Sequence, residues 1–162
     1  MKRGRLVLLG ALLLALPCSS LAQQADTPSD LRRAADNIKF ENAMQFFAMR
    51  DYDKALREFD EYLEIYVNGA HRNEAHRRIA RIYFDRFEYE KAIRAYSAIC
   101  EESSTTDEGV EAYYRVGICH QKMGDDAKAL EIFGAIIEQY PYSNYAGLSR
   151  MQMDLLKIIS PR

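Results

Sequence analysis

Small and large apolar residues return along this chain in step. Ala55, Ala92 and Ala129 stand 37 residues apart, and the same interval relates Phe59, Tyr96 and Phe133, and then Tyr62, Ile99 and Ile136. Upstream it relates Phe46 to Tyr83 and His120, and Ala43 to Ala80 and Gly117. Polar residues fill the intervals, and within each copy the apolar positions fall at helical spacing. A period of this length, with small residues at two fixed places and large ones between them, predicts an all-α stack of helix pairs, because small side chains let neighbouring helices approach.

Individual elements follow from caps and breakers. Residues 23–29 are polar, include Pro28 and read as a short flexible leader, so structure is expected from Asp30. Leu31, Ala34, Ala35, Ile38 and Met44 to Phe47 give a first helix reaching Met49, after which Asp51 caps a second. The second helix buries Ala55, Leu56, Phe59, Tyr62, Leu63 and Tyr66 and is expected to stop at Asn68-Gly69, two residues that tolerate positive φ. The next pair covers residues 73–86 and 89–100, and the polar connection 101–106 is expected to be the most mobile. Thr106 or Asp107 caps the fifth helix, Gly124 ends it, and Asp125 starts a sixth that Pro141 terminates. A last helix, 144–159, is in register with the first half of a fourth copy and is expected to cap the stack. Leu148, Met151, Leu155, Leu156 and Ile159 are assigned to its packed face, with Arg150, Gln152, Asp154 and Lys157 in water. The copies span 36–72, 73–109 and 110–146 of a domain covering 30–160.

With 162 residues, 48% of them hydrophobic and 28% charged, the chain fits one ordinary domain. Its amino terminus differs. Lys2, Arg3 and Arg5 precede the apolar run Leu6 to Leu16, and Ser20-Leu21-Ala22 supplies a small-x-small cleavage pattern. Eleven apolar residues fall short of the ~20 that cross a bilayer as a helix, so residues 1–22 read as a cleaved export signal and not an anchor. Cys18 opens an alternative, lipid attachment, although Pro17 stands where a small residue usually precedes the modified cysteine. Removing the three basic residues of the signal takes the net charge from −2 to −5, which argues against nucleic acid as a partner. No second apolar run approaches membrane-spanning length. Cys100 and Cys119 fall on adjoining helices and read either as a disulfide or as two buried thiols.

No reaction centre is legible. His71, His76 and His120 belong to no metal-ligand pattern, the eight glycines form no phosphate loop, and Ser103-Ser104 lacks a nucleophile context. Glu101-Glu102 and Asp125-Asp126 sit at helix ends, where capping and solvation account for them. Nothing calls for a cofactor or a metal.

The third copy, with Gly117, Gly124-Asp125, Ala129-Leu130, Phe133 and Pro141, resembles the tetratricopeptide repeat family. His120, Tyr113, Asn42 and Arg50 depart from the usual residues of that pattern. The longer period and the ending Tyr140-Pro141-Tyr142-Ser143 are similar to an envelope subgroup. That subgroup includes the lipoprotein subunit of the outer-membrane β-barrel assembly machinery and the periplasmic coordinator associated with the Tol-Pal system. The resemblance implies a right-handed superhelix of three pairs plus a capping helix, with the first helix of each pair lining a concave groove. Mapped onto this chain, the groove is built from Phe40, Met44 and Phe47, then Arg77, Arg81 and Phe84, then Tyr114, Ile118 and Gln121. It would bind an envelope protein or peptide bearing acidic and apolar residues. Against that stands burial of Phe40, Met44 and Phe47, with Arg77, Arg78 and Arg81 absorbed in pairs with Glu74, Asp85 or Glu88. The function implied is a non-enzymatic, exported interaction scaffold, periplasmic or secreted. The alternatives are a lipid-anchored assembly factor at the outer membrane, a self-associating homo-oligomeric repeat protein, and a polysaccharide-handling role.

Overall fold

A computed structural model describes residues 27–159, and every regular element among them is an α-helix. The export signal, Cys18 and the first residues of the expected leader lie outside the described residues. The helices are α1 (Pro28–Ala48), α2 (Tyr52–Ile65), α3 (Arg72–Asp85), α4 (Tyr89–Glu102), α5 (Asp107–Lys122), α6 (Asp126–Gln139) and α7 (Asn144–Ile159). They pack sequentially as three pairs plus a last helix, α1 on α2, α3 on α4, α5 on α6 and α7 on α6. The fold class expected from the repeat is therefore the one observed.

The amino-terminal boundary lies earlier than expected. Thr27 caps α1 in a reciprocal box: its hydroxyl accepts from Asp30 N at 3.3 Å while the Asp30 carboxylate accepts from Thr27 N at 3.2 Å. Pro28 occupies the first turn, where no backbone donor is needed. Asp51, Thr106 and Asp125 cap α2, α5 and α6 as their sequence positions indicate.

Register is confirmed by burial. Ala55, Ala92 and Ala129 are fully buried, as are Ala43 and Ala80, and Gly117 is buried at the matching place. Phe59, Tyr96 and Phe133, with Tyr62, Ile99 and Ile136, form the spine of the core between them. At Gly117 the clearance is measurable, since a Cβ there would stand 2.7 Å from Phe133 Cε1 and 3.1 Å from Ile132 Cγ2.

Each turn within a pair holds one residue in the left-handed region, and these residues obey the same period: Arg50 at φ 61°, Phe87 at φ 62° and Gly124 at φ 77°. Only the third copy has the glycine this conformation favours. A side chain there costs ~1–2 kcal/mol, more than the ~0.5–1 kcal/mol that glycine's extra freedom costs in the unfolded chain. Phe87 is 77% exposed, so deleting its ring forfeits little burial. Phe87→Gly is therefore expected to stabilise the protein by roughly 0.5–1 kcal/mol, read as a melting temperature a few degrees higher.

The expectation for Gly69 is corrected, and the connection after α4 is shorter than expected. Gly69 does not adopt positive φ; a side chain there would overlap Tyr62 Oη and stand 2.8 Å from Tyr66 Cβ, so crowding requires the glycine. The connection expected to be most mobile is only four residues long, because α4 continues through Glu102. It is pinned by Tyr140 Oη donating to Ser104 O at 2.9 Å and by Asn73 Nδ2 donating to Ser103 Oγ at 2.7 Å.

Helix α7 covers the third pair, and of the expected face Leu156 is buried while Leu148, Met151 and Leu155 are not. Ala146, Ser149 and Leu156 are buried, Met153 packs on the core, and Gln152 Nε2 donates to Tyr114 Oη at 3.4 Å. Leu148, Met151 and Leu155 point away from the stack and are exposed. The helix is apolar on two sides, and hydrophobic spacing alone does not say which side is buried.

Candidate partner-binding surface

The first helices of successive pairs reach one another through side chains. The Arg78 guanidinium lies 5.2 Å from the centre of the Phe47 ring, linking α3 to α1. Arg77 Nη2 stands 3.7 Å from Glu108 Oε1, linking α3 to α5, and the Tyr114 and Tyr145 rings lie 5.6 Å apart between α5 and α7. Between α3 and α5, above α4, is a hollow of about 140 Å³ walled by Arg77, Arg78, Arg81, Phe84, Tyr96, Glu111 and Arg115.

This hollow gathers three of the nine expected groove residues, Arg77, Arg81 and Phe84. Ile118 and Gln121 line a separate hollow with Lys122, Asp126, Gln152 and Leu156. Met44 and Phe47 are half-buried against the core. Phe40 and Tyr114 are core residues and do not present themselves to a groove. Phe40 stacks on His71 at 4.4 Å and meets Tyr62 edge-on at 5.7 Å, while Tyr114 is held between Phe133 and Tyr145. Both are covered by groups supplied from further along the chain.

Four wall residues were not among the expected groove residues: Arg78, Tyr96, Glu111 and Arg115. Three carry a signal that was available. Arg78 and Arg115 are one period apart, as are Glu74 and Glu111, so each of these first helices repeats a glutamate four residues before an arginine. The pairs form, with Arg78 Nη2 2.5 Å from Glu74 Oε1 and Arg115 Nη2 3.5 Å from Glu111 Oε1. Tyr96 was assigned to the core, where it largely is, and burial pushes its phenol up so that it stays neutral.

Electrostatically the wall holds four guanidinium groups and one carboxylate, Glu111. Partners stand at its edge: Arg77 pairs with Glu74, and Arg81 Nε donates to Asp85 at 2.8 and 3.0 Å. These are same-helix pairs, partly or largely exposed, of the kind worth ~0.3–0.5 kcal/mol. Such pairs exchange readily for an incoming carboxylate that offers two-point contact. Arg78 Nε is buried and has no hydrogen-bond partner among the described residues.

Among the described residues the cysteines, Cys100 and Cys119, are free thiols. Cys100 Sγ donates to Gly109 O at 3.6 Å. Cys119 lies ten residues beyond Gly109 on the same helix, so the two thiols are separated by ~15 Å of helix rise, well beyond the ~7 Å a disulfide spans. The disulfide reading is thus set aside, because antiparallel packing of α4 and α5 puts Cys100 at the start of α5 and Cys119 near its end. Burial pushes the Cys100 thiol up to about 11 and the Cys119 thiol up to about 12. Among the described residues, no three His, Cys, Asp or Glu side chains converge as a metal site, and no helix is long and apolar enough to cross a membrane.

Compared with known protein families, residues 111–143 match the tetratricopeptide repeat. The match covers α5 from Glu111 onward, α6 and the turn after them, the copy with the fullest motif, and such a repeat implies a protein-interaction scaffold with protein partners. No curated protein matches the chain.

Proposed function

We propose that this chain is an exported, non-enzymatic scaffold of the bacterial cell envelope that holds a peptide segment of a partner protein across α3 and α5. The observation that carries the reading is the arginine-walled hollow. Its volume of about 140 Å³ is well below the ~300–1,000 Å³ of a small-molecule pocket and suits one side chain of a longer ligand. An aspartate or glutamate inserted among Arg77, Arg78, Arg81 and Arg115 exchanges weak surface pairs for charge-assisted hydrogen bonds, while Phe84 and Tyr96 contact its aliphatic stem. Flanking apolar residues of the peptide meet Met44 and Phe47 on one side and Ile118 and Gln121 on the other.

An array of extended peptides combining Asp or Glu with Leu or Phe tests this directly. Acidic peptides are expected to bind with salt-sensitive affinity, and Arg81→Glu/Arg115→Glu is expected to weaken them at least ~10-fold while leaving the melt unchanged. Equal binding of lysine-substituted peptides, or indifference to the double reversal, sinks the reading.

Placement in the envelope rests on residues 1–22 and on the similarity to the envelope subgroup of tetratricopeptide proteins. A lipid-anchored form joined through Cys18 is the variant of this proposal that differs in its amino terminus. Mass spectrometry of the mature chain separates the two: Gln23 at the start removes the anchored form.

A further inference from the structure

We infer that Tyr96 is the specificity-determining residue of the arginine-walled hollow, its hydroxyl donating to the carboxylate of a peptide glutamate that reaches the floor, an inference that rests on the peptide-binding reading above. The repeat itself singles out this oxygen. Phe59, Tyr96 and Phe133 occupy one position of the 37-residue period. In the first and third copies the ring is a fully buried phenylalanine, whereas in the second it is 6% exposed and bears a hydroxyl that packing does not call for. Two other buried tyrosines find partners for theirs. Tyr62 Oη accepts from His71 N at 3.0 Å and bonds to Asp36, and Tyr114 Oη accepts from Gln152 Nε2 at 3.4 Å. No described residue hydrogen-bonds to the Tyr96 hydroxyl. A hydroxyl held in a core without a partner costs stability, so phenylalanine would serve the packing better. The Tyr96 oxygen opens instead on the hollow, where the charges of Arg115, Arg81 and Glu111 act on it.

Depth within the hollow sets the reach its ligand needs. Tyr96 comes from α4, beneath α3 and α5, and the side chains of Arg81 and Arg115 above it are 62% and 46% exposed. Guanidinium groups therefore form the rim and the phenol the floor. Each arginine of the wall already has a carboxylate partner: Glu74 for Arg77 and Arg78, Asp85 for Arg81 and Glu111 for Arg115. A ligand carboxylate at the rim thus exchanges one partner for another, while at the floor it adds a hydrogen bond that no described residue makes. Burial keeps the phenol protonated and hence a donor, and its strongest complement is an anionic oxygen. Glutamate carries its carboxylate one methylene further from the backbone than aspartate. It spans rim and floor where aspartate stops at the rim, and glutamine, as long as glutamate, brings no charge to the arginines.

The test titrates the full chain with peptides identical except for Glu, Asp or Gln at one position, chosen from the acidic binders of the array. The glutamate peptide is expected to bind at least ~5-fold more tightly than either of the others. Tyr96→Phe, which installs the residue that the first and third copies carry, is expected to weaken the glutamate peptide at least ~10-fold and to leave the aspartate peptide nearly as it was. Its melting temperature is expected to hold or rise, because the core loses a hydroxyl without a partner. A purely structural hydroxyl gives the reverse, a lower melt with unchanged affinity, and that result overturns the inference. Equal weakening of the glutamate and aspartate peptides overturns it as well, as does a parent chain that prefers aspartate. The two readings fail in different ways. Peptide binding lost in Arg81→Glu/Arg115→Glu but untouched by Tyr96→Phe removes the tyrosine and keeps the acidic-peptide site. Acidic peptides that do not bind the parent chain, or binding indifferent to both variants, remove both.

Discussion

Ala92→Phe is expected to destabilise the protein by ~3 kcal/mol or more and to lower its melting temperature by roughly 10 °C, followed by circular dichroism. Ala92 is fully buried in α4, which packs on both α3 and α5, so any displacement there is felt by two helix pairs. The clearance at Gly117, less than a methyl group, indicates how closely helices of this stack approach where the repeat has a small residue. A phenyl ring in such a place must separate the helices or leave its rotamer well, and burial of the added ring recovers only part of that cost. Ala127→Phe, on the exposed side of α6, is the control and should leave the melt nearly unchanged. Equal melts for the two variants would mean that the 37-residue register does not mark the helix contacts.

That register was the most legible feature of the sequence, because a repeated alanine between repeated aromatics has few explanations other than close helix approach. Local chemistry was legible too wherever a cap or a breaker acted on its own neighbours, as at Asp51, Thr106 and Asp125. Legibility failed where a residue's environment comes from elsewhere in the chain. Gly69 reads as a turn glycine, yet what it answers to is the ring of Tyr62. Residues 101–106 read as a free polar loop, yet Tyr140 and Asn73 reach across to fasten it. In α7 two apolar faces compete for one core, and the spacing of each is acceptable to a helix.

The hollow was half legible for a similar reason. Arg77, Arg81 and Phe84 share one helix, so a single helical projection groups them. Adding Arg115 and Glu111 requires applying the period to polar positions as well as apolar ones: Glu74-Arg78 recurs as Glu111-Arg115, a repeat as regular as that of the alanines. Phe40 and Tyr114 were misplaced because the groups that cover them, His71 and Tyr145, come from the far end of the same copy, where the next first helix begins. A projection of one helix does not show what the next one brings.

Gly109→Ala poses the sharpest contest between local and non-local effects. In a helix, Gly→Ala is ordinarily stabilising by ~1 kcal/mol, and Gly109 lies in the first turn of α5. Here the added Cβ would overlap Ser103 O, stand 2.7 Å from Ser103 C and 3.2 Å from Ser104 Cα, and every one of these atoms is backbone. No rotamer change relieves the overlap, so the turn 103–106 or the start of α5 must move. Either movement strains the cap, in which Thr106 Oγ1 donates to Ser103 O at 2.9 Å and accepts from Gly109 N at 3.3 Å. Losing a cap costs ~1 kcal/mol and forced repacking ~1–3 kcal/mol, together outweighing the propensity gain. The expected net loss is ~1–3 kcal/mol, a melting temperature lower by roughly 5–10 °C, with amide exchange accelerated first in the opening turn of α5. A variant as stable as the parent would show that helix α5 does not press against the turn before it, and with it would go the close junction between the second and third pairs on which the arginine-walled hollow is built.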